Sequence, residues 1–88
     1  MKIIKSSSSG SLESNDLLVF VSPNSGVKIE IDSIVKLQFE KSIYETILKV
    51  LEEFEVKDVC IKIEDKGALD FAIFARVKTA LLRAGEEK

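Results

Sequence analysis

The chain lacks histidine altogether and has one cysteine among its 88 residues. Histidine is the side chain that most often acts as a general acid or base near neutral pH, so its absence removes most of the usual equipment for catalysis. The lone Cys60 cannot form an internal disulfide, and without histidine it does not make up a zinc ligand set. We therefore expect no metal site and no catalytic residue, and we interpret Cys60 as an inert, half-buried thiol.

An excess of one charge is also missing, because 13 Lys and Arg side chains nearly balance 15 Asp and Glu side chains. Nucleic-acid binding depends on a basic excess that neutralises phosphates, so we expect no nucleic-acid partner. Before the first serine the chain offers only two consecutive isoleucines, Ile3 and Ile4. That stretch is too short for a signal peptide or a spanning helix, so we expect a cytoplasmic protein with no membrane partner.

The serine run at residues 6–9 suggests how the chain is divided. Ordering such a run buries little apolar surface to offset its backbone entropy. We expect a flexible N-terminal lead over residues 1–10, a single domain over residues 11–85 and a C-terminal tail over residues 86–88. Residues 1–5 fit either a mobile tail or a short edge strand. A chain this short forms one core without a deep cleft, so its function should lie on the surface.

Alternating apolar residues predict three strands. Residues 17–21 are apolar on both parities, which is typical of a strand near the middle of a small sheet. Residues 27–32 alternate cleanly, and the turn sequence at residues 23–26 predicts a hairpin between these two strands. Residues 56–65 alternate again and predict the third strand.

Two segments with helical spacing complete the pattern. The first helix should begin between Ser33 and Lys41 and be capped by Asp32 or Ser33. The second should begin near Asp70, with Asp65 also favouring its start, and end at Gly85. The predicted apolar stripe of the first helix is Phe39, Ile43, Ile47, Val50, Leu51 and Phe54, and that of the second is Leu69, Ile73, Val77, Leu81 and Ala84.

The order of these elements predicts the fold class. A strand-helix-strand step is right-handed in nearly all proteins and puts the first helix on one face of the sheet. The second helix has a matching stripe and should cover the same face. We expect an α+β two-layer sandwich with the order β-β-α-β-α, in which Lys28, Glu30, Lys62 and Glu64 make the opposite face partly polar.

Two short motifs carry a family resemblance. Residues 10–16 read GSLESND and residues 64–70 read EDKGALD. With residues 46–51 and 75–76, and with the chain length and element order, they resemble the citrate lyase acyl carrier protein, or gamma chain. The resemblance covers residues 10–84 and makes the predicted domain an acyl carrier domain.

The resemblance implies one attachment residue. In that family the serine of the Gly-(Ser/Thr)-Leu-Glu-Ser motif bears a phosphodiester-linked phosphoribosyl dephospho-CoA, and the matching residue is Ser14. Its position between the Ser/Gly lead and an apolar strand leaves the hydroxyl within reach of a modifying enzyme. Glu13 and Asp16 are candidate recognition residues, although their carboxylates would also repel an incoming phosphate. Because the family tolerates threonine in place of Ser11, we assign that hydroxyl a local structural use.

The resemblance also implies partners: the alpha (acyl transferase) and beta (citryl lyase) subunits of citrate lyase, and a prosthetic-group transferase. The chain would be a non-catalytic carrier whose thiol holds acetyl and citryl thioesters while citrate is cleaved to oxaloacetate and acetate. Two alternatives stay open, a malonate decarboxylase carrier and an adaptor that is never modified. Residues 65–68 are best explained as a turn with a capping carboxylate. Phe71 and Phe74 fit either a broad buried face or a contact patch for a larger subunit.

Overall fold

The computed structural model describes residues 1–34 and 37–86. In these residues, strands come first, a helix follows, and a further strand precedes the second helix. Neither helix in this part of the chain has the length and apolar character that crossing a membrane requires. The elements are β1 (Lys2–Ile3), β2 (Ser7–Gly10), β3 (Leu17–Ser22), β4 (Val27–Ser33), α1 (Leu37–Glu53), β5 (Val59–Asp65), α2 (Asp70–Ala84) and β6 (Gly85–Glu86).

The main sheet has four strands in the order β2-β3-β5-β4. β3 runs antiparallel to both of its neighbours, and β4 runs parallel to β5. The predicted hairpin between β3 and β4 is therefore wrong, because β5 lies between them. The inward side chains of β5 are fully buried, whereas Val27 of β4 is 46% exposed, which agrees with a central position for β5 and an edge position for β4.

The core lies between this sheet and the two helices. Both helices bury side chains against the face formed by alternate residues of β3 and β5. On the other face, Lys62 Nζ lies 3.6 Å from Glu30 Oε2, and both side chains are largely exposed. The predicted α+β two-layer sandwich is confirmed. Its buried apolar residues in β3, β5 and the helices are Leu17, Val19, Val21, Ile43, Ile47, Val50, Leu51, Val59, Ile61, Ile63, Ile73, Val77, Ala80, Leu81 and Ala84.

The N-terminal segment differs from the predicted flexible lead, because it contains β1 and β2. β1 pairs with β6, which is the edge-strand alternative for residues 1–5, and β2 pairs with β3. Ser7 Oγ donates to the Ala80 carbonyl, and Arg83 Nη1 donates to the Ser8 carbonyl at 2.9 Å. Hydroxyl and backbone hydrogen bonds hold this strand to α2. Its serines therefore gave no apolar pattern from which a strand could be predicted.

The helix boundaries agree with the sequence. α1 begins at Leu37, inside the predicted window, and the two residues predicted as its caps, Asp32 and Ser33, are the last residues of β4. α2 ends at Ala84, and Gly85 follows as its C-cap. Of the predicted C-terminal tail, Glu86 lies in β6, and residues 87–88 lie outside the described residues.

Two members of the predicted apolar stripes are exposed. Phe39 is 52% exposed and Leu69 is 64% exposed, so their assignment to the core is wrong. Each lies at the N-terminal end of its helix, where no strand covers it. Of the two aromatic residues left open by the sequence, Phe74 packs against the core, whereas Phe71 is 74% exposed.

Candidate attachment site

Ser14 lies in a tight turn within the loop between β2 and β3. The Asp16 amide donates to the Glu13 carbonyl at 3.1 Å, and Asn15 has a φ of 65°. A positive φ at the third position is the signature of a type II turn, and asparagine tolerates it better than most residues. Ser14 is therefore at the second position, exposed, and its hydroxyl makes no hydrogen bond to any part of the chain that the structure describes. A modifying enzyme can reach this hydroxyl without unfolding the domain.

Asp16 anchors one end of this turn to α2. Arg76 donates from Nε to Oδ1 at 3.1 Å and from Nη2 to Oδ2 at 2.9 Å, which is a bidentate ion pair. Ser11 Oγ donates to Oδ2 at 2.7 Å, and the Leu17 amide donates to Oδ1 at 2.8 Å. The hydrogen bonds from Arg76, and then the one from Ser11, lower the pKa of Asp16 from 3.8 to about 2. The carboxylate is thus ionised at neutral pH and holds the turn in place.

Ser11 has a local structural use, as expected from the tolerance of threonine at this position in the resembled family. Its hydroxyl donates to Asp16 and accepts from the Glu13 amide at 3.3 Å. A threonine hydroxyl could make the same two contacts. Glu13 itself is exposed, and its carboxylate makes no hydrogen bond or ion pair with the described part of the chain.

Gly10 lets the chain pass beneath Arg76 as it enters the loop. Its φ is 97°, and a Cβ there would lie 1.9 Å from the Leu17 carbonyl oxygen and 3.3 Å from Arg76 Cδ. No side chain fits this space without moving the backbone of the opposite strand.

The other end of the turn rests on the loop between β5 and α2. The Asn15 amide donates to the Lys66 carbonyl at 2.8 Å, and the Lys66 amide donates to the Asp16 carbonyl at 2.9 Å. Gly67 follows with a φ of 91°, and a Cβ there would lie 3.6 Å from Asn15 Oδ1. The two motifs singled out in the sequence, residues 10–16 and 64–70, are therefore hydrogen-bonded neighbours.

Asp65 has the capping role expected of it within this second loop. It is 1% exposed, and its carboxylate accepts from the Ala68 amide at 2.9 Å and from Ser33 Oγ at 2.8 Å. This buried carboxylate closes the turn between β5 and α2 and ties it to the end of β4. These hydrogen bonds give Asp65 a structural role that accounts for its burial.

Arg76 is the site residue that sequence reasoning missed. It lies 60 residues from Asp16 along the chain and belongs to a different element. The only signal was its place in the pair at residues 75–76, which formed part of the family resemblance. For metals, no cluster of three or more His, Cys, Asp or Glu is placed to hold an ion within residues 1–34 and 37–86.

Comparison with known proteins gives a consistent picture. The family described as "ACP: Malonate decarboxylase delta subunit (MdcD)" matches residues 4–84. The citrate lyase acyl carrier protein of Haemophilus ducreyi is 46% identical over 87 residues, which cover 99% of this chain and 92% of that one. That of Treponema denticola is also 46% identical over 87 residues, covering 99% of this chain and all of its relative. The protein of the same name from Halothermothrix orenii is 44% identical over 98% of this chain and 93% of the relative.

Solved structures share the fold at lower sequence identity. One chain of a Pseudomonas malonate decarboxylase hetero-tetramer, crystallised in complex with malonate, superimposes with a TM-score of 0.71 at 17% identity, covering 97% of this chain and 93% of that chain. Part of a longer chain from Thermus thermophilus superimposes with a TM-score of 0.70 at 12% identity, covering 94% of this chain and 16% of that one. The identities to the curated relatives extend over nearly the whole chain, and on that evidence this chain belongs to the family of citrate lyase acyl carrier proteins.

Proposed function

We propose that this chain is the acyl carrier subunit of a citrate lyase and that Ser14 carries a covalently bound phosphoribosyl dephospho-CoA. The observation that carries the proposal is an exposed serine hydroxyl, free of hydrogen bonds to the described residues, on a turn fixed at both ends. Family membership supports the carrier role, because the relatives are citrate lyase acyl carrier proteins. When bound, the group supplies a thiol that holds acyl groups as thioesters.

Ser14 is the nucleophile when the group is attached. Its Oγ forms a bond to phosphorus in a phosphoric anhydride on the precursor of the group, and the anhydride P–O bond on the far side of that phosphorus breaks, so that the outer phosphate part leaves with the bridging oxygen and its electron pair. The Ser14 proton needs an acceptor, and because the chain has no histidine that base belongs to the transferase. The ionised Asp16 is bound by Arg76, which reduces the repulsion that its charge would exert on the incoming phosphate. We assign recognition of the transferase to the exposed Glu13, together with Asp16.

The turn that carries Ser14 is a suitable attachment point for a covalently bound acyl-carrying group. A covalent link keeps the acyl group near each active site and raises its effective concentration there. The partners that this mechanism requires are the alpha subunit as acyl transferase and the beta subunit as citryl lyase. These subunits supply the catalytic groups. This chain supplies the anchored turn to which the prosthetic group is attached.

Mass spectrometry tests the attachment. The chain is co-expressed with the prosthetic-group synthase and transferase, and the added mass is mapped by intact-protein and peptide analysis. We expect the phosphoribosyl dephospho-CoA adduct on the peptide that contains Ser14 and no adduct in Ser14→Ala. Ser25→Ala is the matched control, because Ser25 is also an exposed turn serine and lies in the loop between β3 and β4. A folded protein without an adduct, alongside a carrier that the same enzymes modify, would remove the Ser14 assignment.

A malonate decarboxylase carrier is the second candidate. The matching family description and the structural neighbour both name malonate decarboxylase. The neighbour, however, is 17% identical, whereas the citrate lyase carriers reach 46%, so the citrate lyase assignment is favoured. The large subunits that co-purify with the tagged chain distinguish the two. If Ser14→Ala still supported the activity of the complex, the unmodified adaptor would replace both.

A further inference from the structure

A small cavity opens between the N-terminal ends of α1 and α2. Its volume is about 170 Å³, and we call it the α1–α2 groove. Phe39 and Leu69, the two exposed residues of the predicted apolar stripes, both line it. The remaining lining residues are Ser42, Ile43, Asp65, Gly67, Ala68, Asp70 and Ile73.

The groove is continuous with the turn that carries Ser14. Gly67 lines the groove and follows Lys66, whose carbonyl accepts the hydrogen bond from the Asn15 amide. Asn15 directly follows Ser14. Counting the bonds and this hydrogen bond, about 8 Å of path separates the Ser14 Cα from the Gly67 nitrogen. The attachment point therefore lies beside the groove, and the pantetheine segment of the group, which lies beyond its phosphoribosyl and adenosine diphosphate units, can fold back to the groove at raised effective concentration.

The size and lining of the groove decide what it can hold. Sites for a whole cofactor or drug-sized ligand are about 300–1,000 Å³, so a cavity of about 170 Å³ admits only a segment of one. The walls at Phe39, Leu69 and Ile73 suit a branched apolar segment. A pantetheine arm has one such segment, a carbon with two methyl groups, close to two amide groups.

Polar groups at the groove also suit an amide-containing arm. Leu69, at the N-cap of α2, provides no side-chain hydrogen bond to the helix. The amide of Asp70, a residue that lines the groove, finds no hydrogen-bond acceptor within residues 1–34 and 37–86, so it can donate to an amide carbonyl. The Asp70 carboxylate can accept from an amide N–H of the same arm.

We propose that the α1–α2 groove holds the geminal dimethyl segment of the pantetheine arm carried by Ser14 of the same chain. The inference rests on the proposed attachment at Ser14. The arm then has a docked state between transfers, in which its apolar segment is sheltered, and an extended state that reaches a partner subunit. A small pocket gives a weak hold, so a partner can draw the arm out.

Nuclear magnetic resonance on a pantetheine conjugate tests the groove without the transferase. Pantetheine is coupled through its thiol to the double variant Ser14→Cys, Cys60→Ser, whose second change leaves one reactive site. We expect nuclear Overhauser effects between the geminal methyl groups and the methyl groups of Leu69 and Ile73. Leu69→Asn in the same background should abolish the effects to Ile73, which keeps its methyl groups. Leu82→Asn should retain them, because Leu82 is an exposed leucine of the same helix outside the groove.

The outcomes separate this inference from the proposed function. If the adduct forms on Ser14 but neither the conjugate nor the modified protein shows these effects, the groove proposal is wrong and the carrier function stands. If the effects to Ile73 survived Leu69→Asn unchanged, the arm would not depend on the apolar wall at Leu69, and the proposed binding in the groove would also be wrong. Effects in the conjugate with no enzymatic adduct would remove the Ser14 attachment while leaving the groove as a pantetheine site.

Discussion

Arg76 binds both carboxylate oxygens of Asp16, at 3.1 and 2.9 Å, and so joins α2 to the turn that carries Ser14. The turn has no apolar side chain in the core, because Leu12 is 52% exposed and its other residues are polar. Its position therefore depends on hydrogen bonds, and among residues 1–34 and 37–86 this ion pair is the one that joins it to a helix. The pair is also where a single substitution should loosen the site and spare the core.

Arg76→Gln should loosen the turn. Glutamine keeps much of the side-chain length but loses the charge and the second donor that face Asp16. We expect faster hydrogen exchange at the Leu17 amide, which donates to the same carboxylate, and slower modification of Ser14. Arg83→Gln is the matched control, because Arg83 lies on the same helix and donates to Ser8 instead. Equal exchange at Leu17 in the two variants would contradict this role for Arg76.

Acid should remove the contribution of Asp16 to stability. Its pKa is lowered from 3.8 to about 2 in the folded protein, so the ionised form is favoured by folding. The stabilisation is complete above the unfolded pKa and is lost as the pH falls from about 4 to about 2; we expect it to be about 1 kcal/mol after solvent screening.

Urea unfolding between pH 2 and pH 6 checks this sign. The difference in unfolding free energy between the wild type and Asp16→Asn should be largest above about pH 5 and should shrink towards pH 2. Asp32→Asn is the control, because Asp32 is an exposed carboxylate on β4 with no ion pair among the described residues. A difference that stays constant over this range would show that the Asp16 charge does not stabilise the fold.

The elements of the fold could be predicted because each has a clear hydrophobic period. Ile61 and Ile63 alternate as a strand requires, and Val77 and Leu81 recur as a helix requires, and all four are buried. The order of the strands could not be predicted in the same way. The segments that became β4 and β5 have similar alternation, so the pattern alone does not predict that β5 lies between β3 and β4. The serine strand β2 had no period to detect.

The candidate site likewise has one part that the sequence predicted and one part that it did not. Ser14 was identified by the resemblance of residues 10–16, and nothing in composition alone would have separated it from the other serines. The contact of Asp16 with Arg76 spans 60 residues and is made by the fold. Patterns in a single sequence predict local structure but not contacts between distant residues. The ion pair that holds the turn could therefore be identified only from the structure.

Leu81→Ala should cost far more stability than Leu82→Ala. Leu81 is fully buried beneath the sheet, whereas Leu82, the next residue of α2, is 47% exposed. Truncating a buried leucine removes apolar burial and leaves a cavity, which costs about 2–5 kcal/mol, whereas an exposed position costs about 0.5 kcal/mol or less. Urea unfolding of both variants measures the difference. Similar losses would mean that the face of α2 assigned to the core is wrong.

Gly10→Ala should destabilise the loop that carries Ser14 through a steric clash as well as backbone strain. Its Cβ would lie 1.9 Å from the Leu17 carbonyl oxygen, so β3 must move away from the Asp16 anchor. Gly26→Ala separates the two effects, because Gly26 also has a positive φ, of 79°, but nothing lies within 4 Å of its added Cβ. We expect a loss of about 1–2 kcal/mol for Gly26→Ala, from strain alone, and about 3 kcal/mol for Gly10→Ala, measured by urea unfolding. Gly10→Ala should also slow the modification of Ser14, which Gly26→Ala should leave unchanged. Equal losses of unfolding free energy in the two variants would mean that the backbone of β3 moves away from the added Cβ at little cost. The close approach between Gly10 and the Leu17 carbonyl would then not determine the position of the loop.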